Sequence, residues 1–174
     1  MDLVVFDLDG TLLDLHYDNH FWMEYLPRAY ADGTDIEARA QMMSAAAMGA
    51  TAFQKGLGAI HAMSHPVGAV FNTHHGTTNA VCMPAVLDLN EPMIRERFDR
   101  AAGYLRIDGG YDGFRSFVQD FNDSFAIPRK LSEMGVTADR MDDLVAMALE
   151  DPSVGGNPVK MTPENTRALF LKCI

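Results

Sequence analysis

The chain has 174 residues, 48% of them hydrophobic and 22% charged, with a formal net charge of −10. That length suits one domain with a real core and the composition excludes a disordered protein, while the acidity argues against nucleic acid and anionic membrane surfaces, which both need a basic face. Two cysteines, Cys82 and Cys173, supply no disulfide framework and fit a reducing cytoplasm.

The opening MDLVVFDLDG places acids inside a short apolar run, so a signal peptide is not expected, and no apolar stretch approaches bilayer length. Leu3-Val4-Val5-Phe6 is the best strand candidate, closed by Asp9-Gly10. A helical pattern follows from about Asp18 to Leu26, which Pro27 is expected to end or kink. Asp32-Gly33 reads as a turn. Thr34 with Glu37 forms a capping box for a helix reaching about Gln54, whose Ala, Met and Gly content suggests a central position.

Gly58 to Phe71 reads as a helix, Asn72-Thr73 as a turn, and His75-Gly76 as the start of the next helix. Thr77 to Leu89 is a buried helical pattern, with Asn90 capping another from Pro92 to Leu105. Ile107 to Gly110 is a turn. Tyr111 to Asn122 is amphipathic, with Phe114, Phe117, Val118 and Phe121 on its apolar face. Thr137 starts a helix through Met141, Leu144, Val145 and Leu149; Pro152 to Pro158 is a loop. Thr162-Pro163 supplies an N-cap and first-turn proline for the last helix. The expected architecture is all-α, a multi-helix bundle with one short N-terminal strand.

Four of six histidines fall between Gly56 and Pro84: His61, His65, His74 and His75. On a helix, His61 and His65 lie one turn apart on one face. His75, at the start of the adjoining helix, completes a set suited to a transition metal, for which imidazole is a good ligand. Core histidines bonded to carbonyls are the plainer alternative, and His74 is expected to face solvent or cap the turn. Met42, Met43, Met48 and Met63 read as core filler.

The front end, VVFDLDGTLLD, resembles the first motif of the haloacid dehalogenase-like hydrolases. On that resemblance Asp7 corresponds to the nucleophile and Asp9 to the general acid/base of a phosphohydrolase or nucleotidase. The family's later parts are not matched: Asp142-Asp143 lies in a helical pattern rather than at a strand end.

From about Leu26 onward the chain resembles the C-terminal helical domain of the iron-containing (group III) alcohol dehydrogenases. The matching segments are LPRAYADGTDIEARAQMMSAAAMGATAFQKGLGAIHAMSHPVGAVFNTHHGTTNAVCMPAVLDLN and GGNPVKMTPENTRALF, around the pattern GxxHxMxHPxG…HGxxNAxxxP. The resemblance implies that His61 and His75 are ligands of Fe2+ or Zn2+. It implies that His65 lines the substrate and nicotinamide side and that Gly155-Gly156-Asn157-Pro158 lies near the active site. It also implies an oxidoreductase that acts on a small alcohol or aldehyde with NAD(P). No Asp-x-x-x-His, the family's other ligand pair, occurs in the chain. The nearest imitation, His16 and His20 beside Asp14 and Asp18, reads as an amphipathic surface. No Gly-rich strand-to-helix turn is present either, so NAD(P) binding is not expected of this chain.

The expected organisation is therefore a hydrolase-like segment over residues 1–25 and a helical metal-binding domain over 26–174. A non-catalytic helical interaction module is the reading from a third class. Homo-oligomerisation is expected, with the Val4–Phe6 strand and the His61/His65 face near the contact, because an apolar face left bare finds a partner.

Overall fold

The structure is a computed structural model and describes residues 24–52 and 56–174. Among these the regular elements are helices, as expected; the N-terminal strand, Asp7, Asp9, His16 and His20 lie outside the described residues. The chain divides into two compact units.

The first unit comprises Gly56–Glu96 and Arg115–Ile174. Its elements begin with α3 (Ala59–Phe71), closed by Asn72 in the left-handed conformation (φ 53°). Asn tolerates that conformation better than most residues. Next comes α4 (His75–Tyr104), whose residues up to Glu96 belong here. His74 opens it: its Nδ1 accepts from the Thr77 backbone N–H at 3.3 Å and lies 3.1 Å from Thr77 Oγ1. The later part of α5 (Gly110–Ser124), α6 (Met141–Glu150) and α7 (Pro163–Cys173) complete the unit, with short 3-10 turns at Leu131–Met134, Ala138–Arg140 and Pro152–Gly156. Thr162 caps α7 as expected, accepting from the Asn165 backbone N–H at 3.3 Å.

The core of this unit follows from helical periodicity. Ala59, Ala62, Met63 and Val67 of α3 meet Val81, Cys82, Ala85 and Val86 of α4, Leu144, Val145 and Ala148 of α6, and Phe170 and Cys173 of α7. α6 packs closely on both α3 and α7, and Phe170, fully buried, is the largest side chain in this cluster.

The second unit comprises residues 24–52 and 97–114 of the described chain. It contains α1 (Leu26–Ala31) and α2 (Ile36–Ala52). Arg28 links them, with Nη2 at 2.9 Å from Asp35 and 2.8 Å from Glu37. Its guanidinium is held above the usual range by the hydrogen bonds to Glu37 and then Asp35. Phe98 packs edge-to-face on Tyr111 and Phe114, at centroid distances of 6.1 and 4.9 Å. The Asp99 carboxylate accepts from the Tyr111 N–H at 2.7 Å.

The helix expected from about Asp18 to Leu26 falls mostly outside the described residues; Pro27 sits in the first turn of α1, where its missing N–H costs little. Three expectations need correction. Thr34 does not cap α2. Asp35 takes that place, accepting from the Ala38 N–H at 3.0 Å, while the Thr34 hydroxyl donates to Asp32 at 2.6 Å. α2 is not central: Ile36 and Met43 are both 74% exposed, and only small residues such as Ala38 and Ala45 are buried. Lastly, Asn90 caps nothing, because the helix runs unbroken from His75 through Pro84 and Pro92.

Candidate functional site

Three imidazoles meet where the first half of α3 faces the start of α4. The His61 and His65 rings lie 5.7 Å apart by centroid, His61 and His75 5.3 Å, and His65 and His75 5.4 Å. His65 and His75 are nearly parallel, at 14°. His61 is half-buried and the other two are exposed. These are not core histidines. They line an open face, and the i, i+4 spacing on α3 together with the Asn72 turn brings the third ring back onto the first two.

Polar contacts orient two of the rings. Asn79, one turn after His75 and 3% exposed, presents its amide nitrogen at 3.4 Å from His61 Nε2 and 3.2 Å from His75 Nε2. In this orientation the amide NH2 donates, and the facing ring nitrogens are placed to accept. His75 Nδ1 lies 3.5 Å from Ser64 Oγ, which donates to the His61 carbonyl at 3.3 Å. Two ring nitrogens thus converge on one buried amide.

His65 is held differently. Its Nδ1 lies 2.7 Å from Asp151 Oδ2, across from α3 to the end of α6. The same carboxylate accepts from the Ser153 N–H at 2.8 Å and caps the 3-10 turn at Pro152–Gly156. Burial pushes the Asp151 carboxyl up, but hydrogen bonds from Ser153 and His65 outweigh it, and the group lies below the usual carboxylate range.

The Gly155–Pro158 segment anchors the start of α3. Asn157 Oδ1 accepts from the Ala59 N–H at 3.1 Å and from Asn90 Nδ2 at 2.9 Å, while Asn157 Nδ2 donates back to Asn90 Oδ1 at 2.8 Å. A Cβ on Gly156 would stand 2.0 Å from the Leu57 carbonyl oxygen, so only glycine fits there.

The donor set fits a divalent metal in part. Two convergent imidazole nitrogens are half of a common four-ligand set. Among the described residues no group of three or more His, Cys, Asp or Glu side chains is placed to hold an ion. Asp142 and Asp143 lie in the first turn of α6, paired with Arg167 and Arg140. Asn79, Ser64 and Asp151 were not singled out from the sequence. Asn79 stood inside the quoted HGxxNA pattern, four residues from His75, and that spacing was the available signal.

The fold and the cluster together define a helical domain that gathers imidazoles between two adjoining helices. Residues 20–174 match the model of the Fe-containing alcohol dehydrogenase family, C-terminal part. The chain is 39% identical over 155 residues to 4-hydroxybutyrate dehydrogenase of Cupriavidus necator, an alignment covering 84% of this chain and 40% of that protein. It is 39% identical over 143 residues to the NAD-dependent methanol dehydrogenase of Bacillus methanolicus, covering 78% and 38%. Among solved structures it resembles a 1,3-propanediol oxidoreductase, with TM-score 0.80, 27% identity and coverage of 92% and 42%. It also resembles an iron-containing alcohol dehydrogenase from Corynebacterium glutamicum, with TM-score 0.74, 28% identity and coverage of 92% and 44%. The chain belongs to the iron-containing alcohol dehydrogenase family, as a portion from its C-terminal part. It spans about 40% of the length of the curated relatives it matches. Nothing in these comparisons supports the hydrolase motif at Asp7 and Asp9, which lies ahead of the family match. No helix among the described residues is long and apolar enough to cross a membrane.

Proposed function

We propose that this chain is the metal-holding part of an NAD(P)-dependent dehydrogenase for small alcohols or aldehydes, with His61 and His75 as ligands of Fe2+ or Zn2+. The observation that carries the reading is the convergence of the two Nε2 atoms on the Asn79 amide nitrogen. When bound, the metal polarises the alcohol or carbonyl oxygen while hydride passes to or from the nicotinamide.

The chain's own residues set the geometry. Ser64, facing Nδ1, helps orient the ring of His75, while Asn79 holds its Nε2 as long as no metal is bound there. His65 stacks on His75 and gives its Nδ1–H to Asp151, which leaves the Nε2 lone pair as the atom able to take or pass a proton. Its place beside the two ligand rings supports the role of a catalytic residue on the substrate side. Names such as methanol dehydrogenase and 1,3-propanediol oxidoreductase among the similar proteins support the alcohol class.

In this reading residues 26–174 form the metal-binding part and 1–25 a segment in front of it. No Gly-rich strand-to-helix turn occurs in these 174 residues, so by themselves they are expected to show no NAD(P)-dependent turnover. Self-association belongs to the same proposal, supported by Tyr30, Ile36 and Met43, which expose large apolar side chains.

Size exclusion with metal analysis, after loading with Fe2+ or Zn2+, tests both parts. The expected result is a retained ion, roughly one per chain, in a species larger than a monomer, with the ion lost in His61→Ala/His75→Ala. Equal metal content in the double variant would refute the site, and a monomeric mass would refute the assembly.

A further inference from the structure

The first unit holds a second cluster of reactive groups, on the α4–α7 side of its core. Cys82 of α4 and Cys173 of α7 are both buried, at 0% and 3% exposure, and their thiols hydrogen-bond to each other. Cys173 also lines a cavity of about 330 Å3, whose wall carries Lys130 and Lys172 together with Arg115, paired with Asp88, and Arg129, paired with Asp123. In a chain of net charge −10 this is a local excess of positive charge around a sulfur atom.

We propose that Cys173 is a thiol-modification site for small anionic disulfides, with Cys82 as its resolving partner. The cations draw the anion into the cavity, where Cys173 is the sulfur that lines the wall. The Cys173 thiol is held below the ordinary cysteine range by the hydrogen bond from Cys82 first, with Lys130 and Lys172 acting the same way against burial. The Cys82 thiol is pushed above it, by that same hydrogen bond and then by burial. Of the two thiols Cys173 is the readier to ionise, and it is the one that lines the cavity.

The chemistry balances in two steps. The Cys173 thiolate attacks one sulfur of the incoming disulfide; a new S–S bond forms, the old one breaks, and one thiolate leaves. Cys82 then gives up its proton and attacks Cys173 Sγ, which releases the second thiolate and leaves a Cys82–Cys173 disulfide. Two protein thiols are oxidised and the incoming disulfide is reduced to two thiols. Neither step calls on the histidine cluster.

The test treats the full native chain with oxidised glutathione, which is anionic, and in parallel with neutral bis(2-hydroxyethyl) disulfide. Thiol counts, intact mass and peptide mapping give the readout. The proposal predicts loss of both thiols without a retained adduct and a mapped Cys82–Cys173 link. Cys82→Ala should instead keep a glutathione adduct on Cys173. Lys130→Gln/Lys172→Gln should slow the glutathione reaction by roughly five- to tenfold and slow the neutral reagent distinctly less, since that reagent feels only the loss of thiolate. Thiols that stay inert in the native chain yet titrate after denaturation would overturn the proposal, as would a first adduct on Cys82. Equal rates for the two reagents in the unsubstituted chain would also count against it. Should Cys82→Ala fail to fold, the peptide map of the unsubstituted chain decides alone.

Discussion

The Asp151 carboxylate joins two parts of the chain, accepting from Ser153 in its own turn and from His65 on α3. Replacing it with asparagine keeps an acceptor for the turn but removes the charge that faces His65. The expected loss at neutral pH is about 1 kcal/mol, or roughly 2–4 °C in Tm for a chain of this size. The sign of its pH dependence follows from the depressed carboxyl. Such a group contributes stability that is fully present above its unfolded value, about 4, and is lost as pH falls through the lower folded value. Thermal scans of both proteins should therefore show a gap that is steady near pH 5 and closes towards pH 3. A gap that widens on acidification would contradict the assignment. The histidines themselves were legible in the sequence, since i, i+4 spacing and a turn sufficed to place them. Asp151 was not, because it lies 86 residues from His65 and no local pattern links the two.

At the scale of elements, α3, α5 and α7 fell where period and caps placed them. α4 did not, because Pro92 and a polar Asn90 imitate the punctuation of separate helices. What removes Asn90 from capping duty is tertiary: its amide is engaged by Asn157, 67 residues away. The same anchor yields a prediction. Gly156→Ala forces a Cβ onto the Leu57 carbonyl, immediately before α3. The neighbour is backbone and must move, at a cost of about 1–3 kcal/mol. Gly155→Ala meets nothing within 4 Å and should change stability by no more than about 0.5 kcal/mol. Denaturant unfolding of the two variants provides the comparison, and equal midpoints would show that the close approach is not a constraint.

For the whole molecule, the all-helical class and the family were readable from one long motif, whereas the partition into two units was not. α2 shows why. Its Ala- and Met-rich sequence looks like core, yet Met43 stands exposed, and local composition does not say whether a packing partner is present. The central claim, however, rests on two nitrogen atoms. Long-range 15N–1H correlation NMR of the histidine side chains reports which ring nitrogen bears the proton and which one binds a metal. The account predicts that metal-free His61 and His75 both carry hydrogen on Nδ1, with unprotonated Nε2, and that Zn2+ moves both Nε2 resonances together. Protonated Nε2 on either ring, or Nε2 resonances that ignore Zn2+, would contradict it.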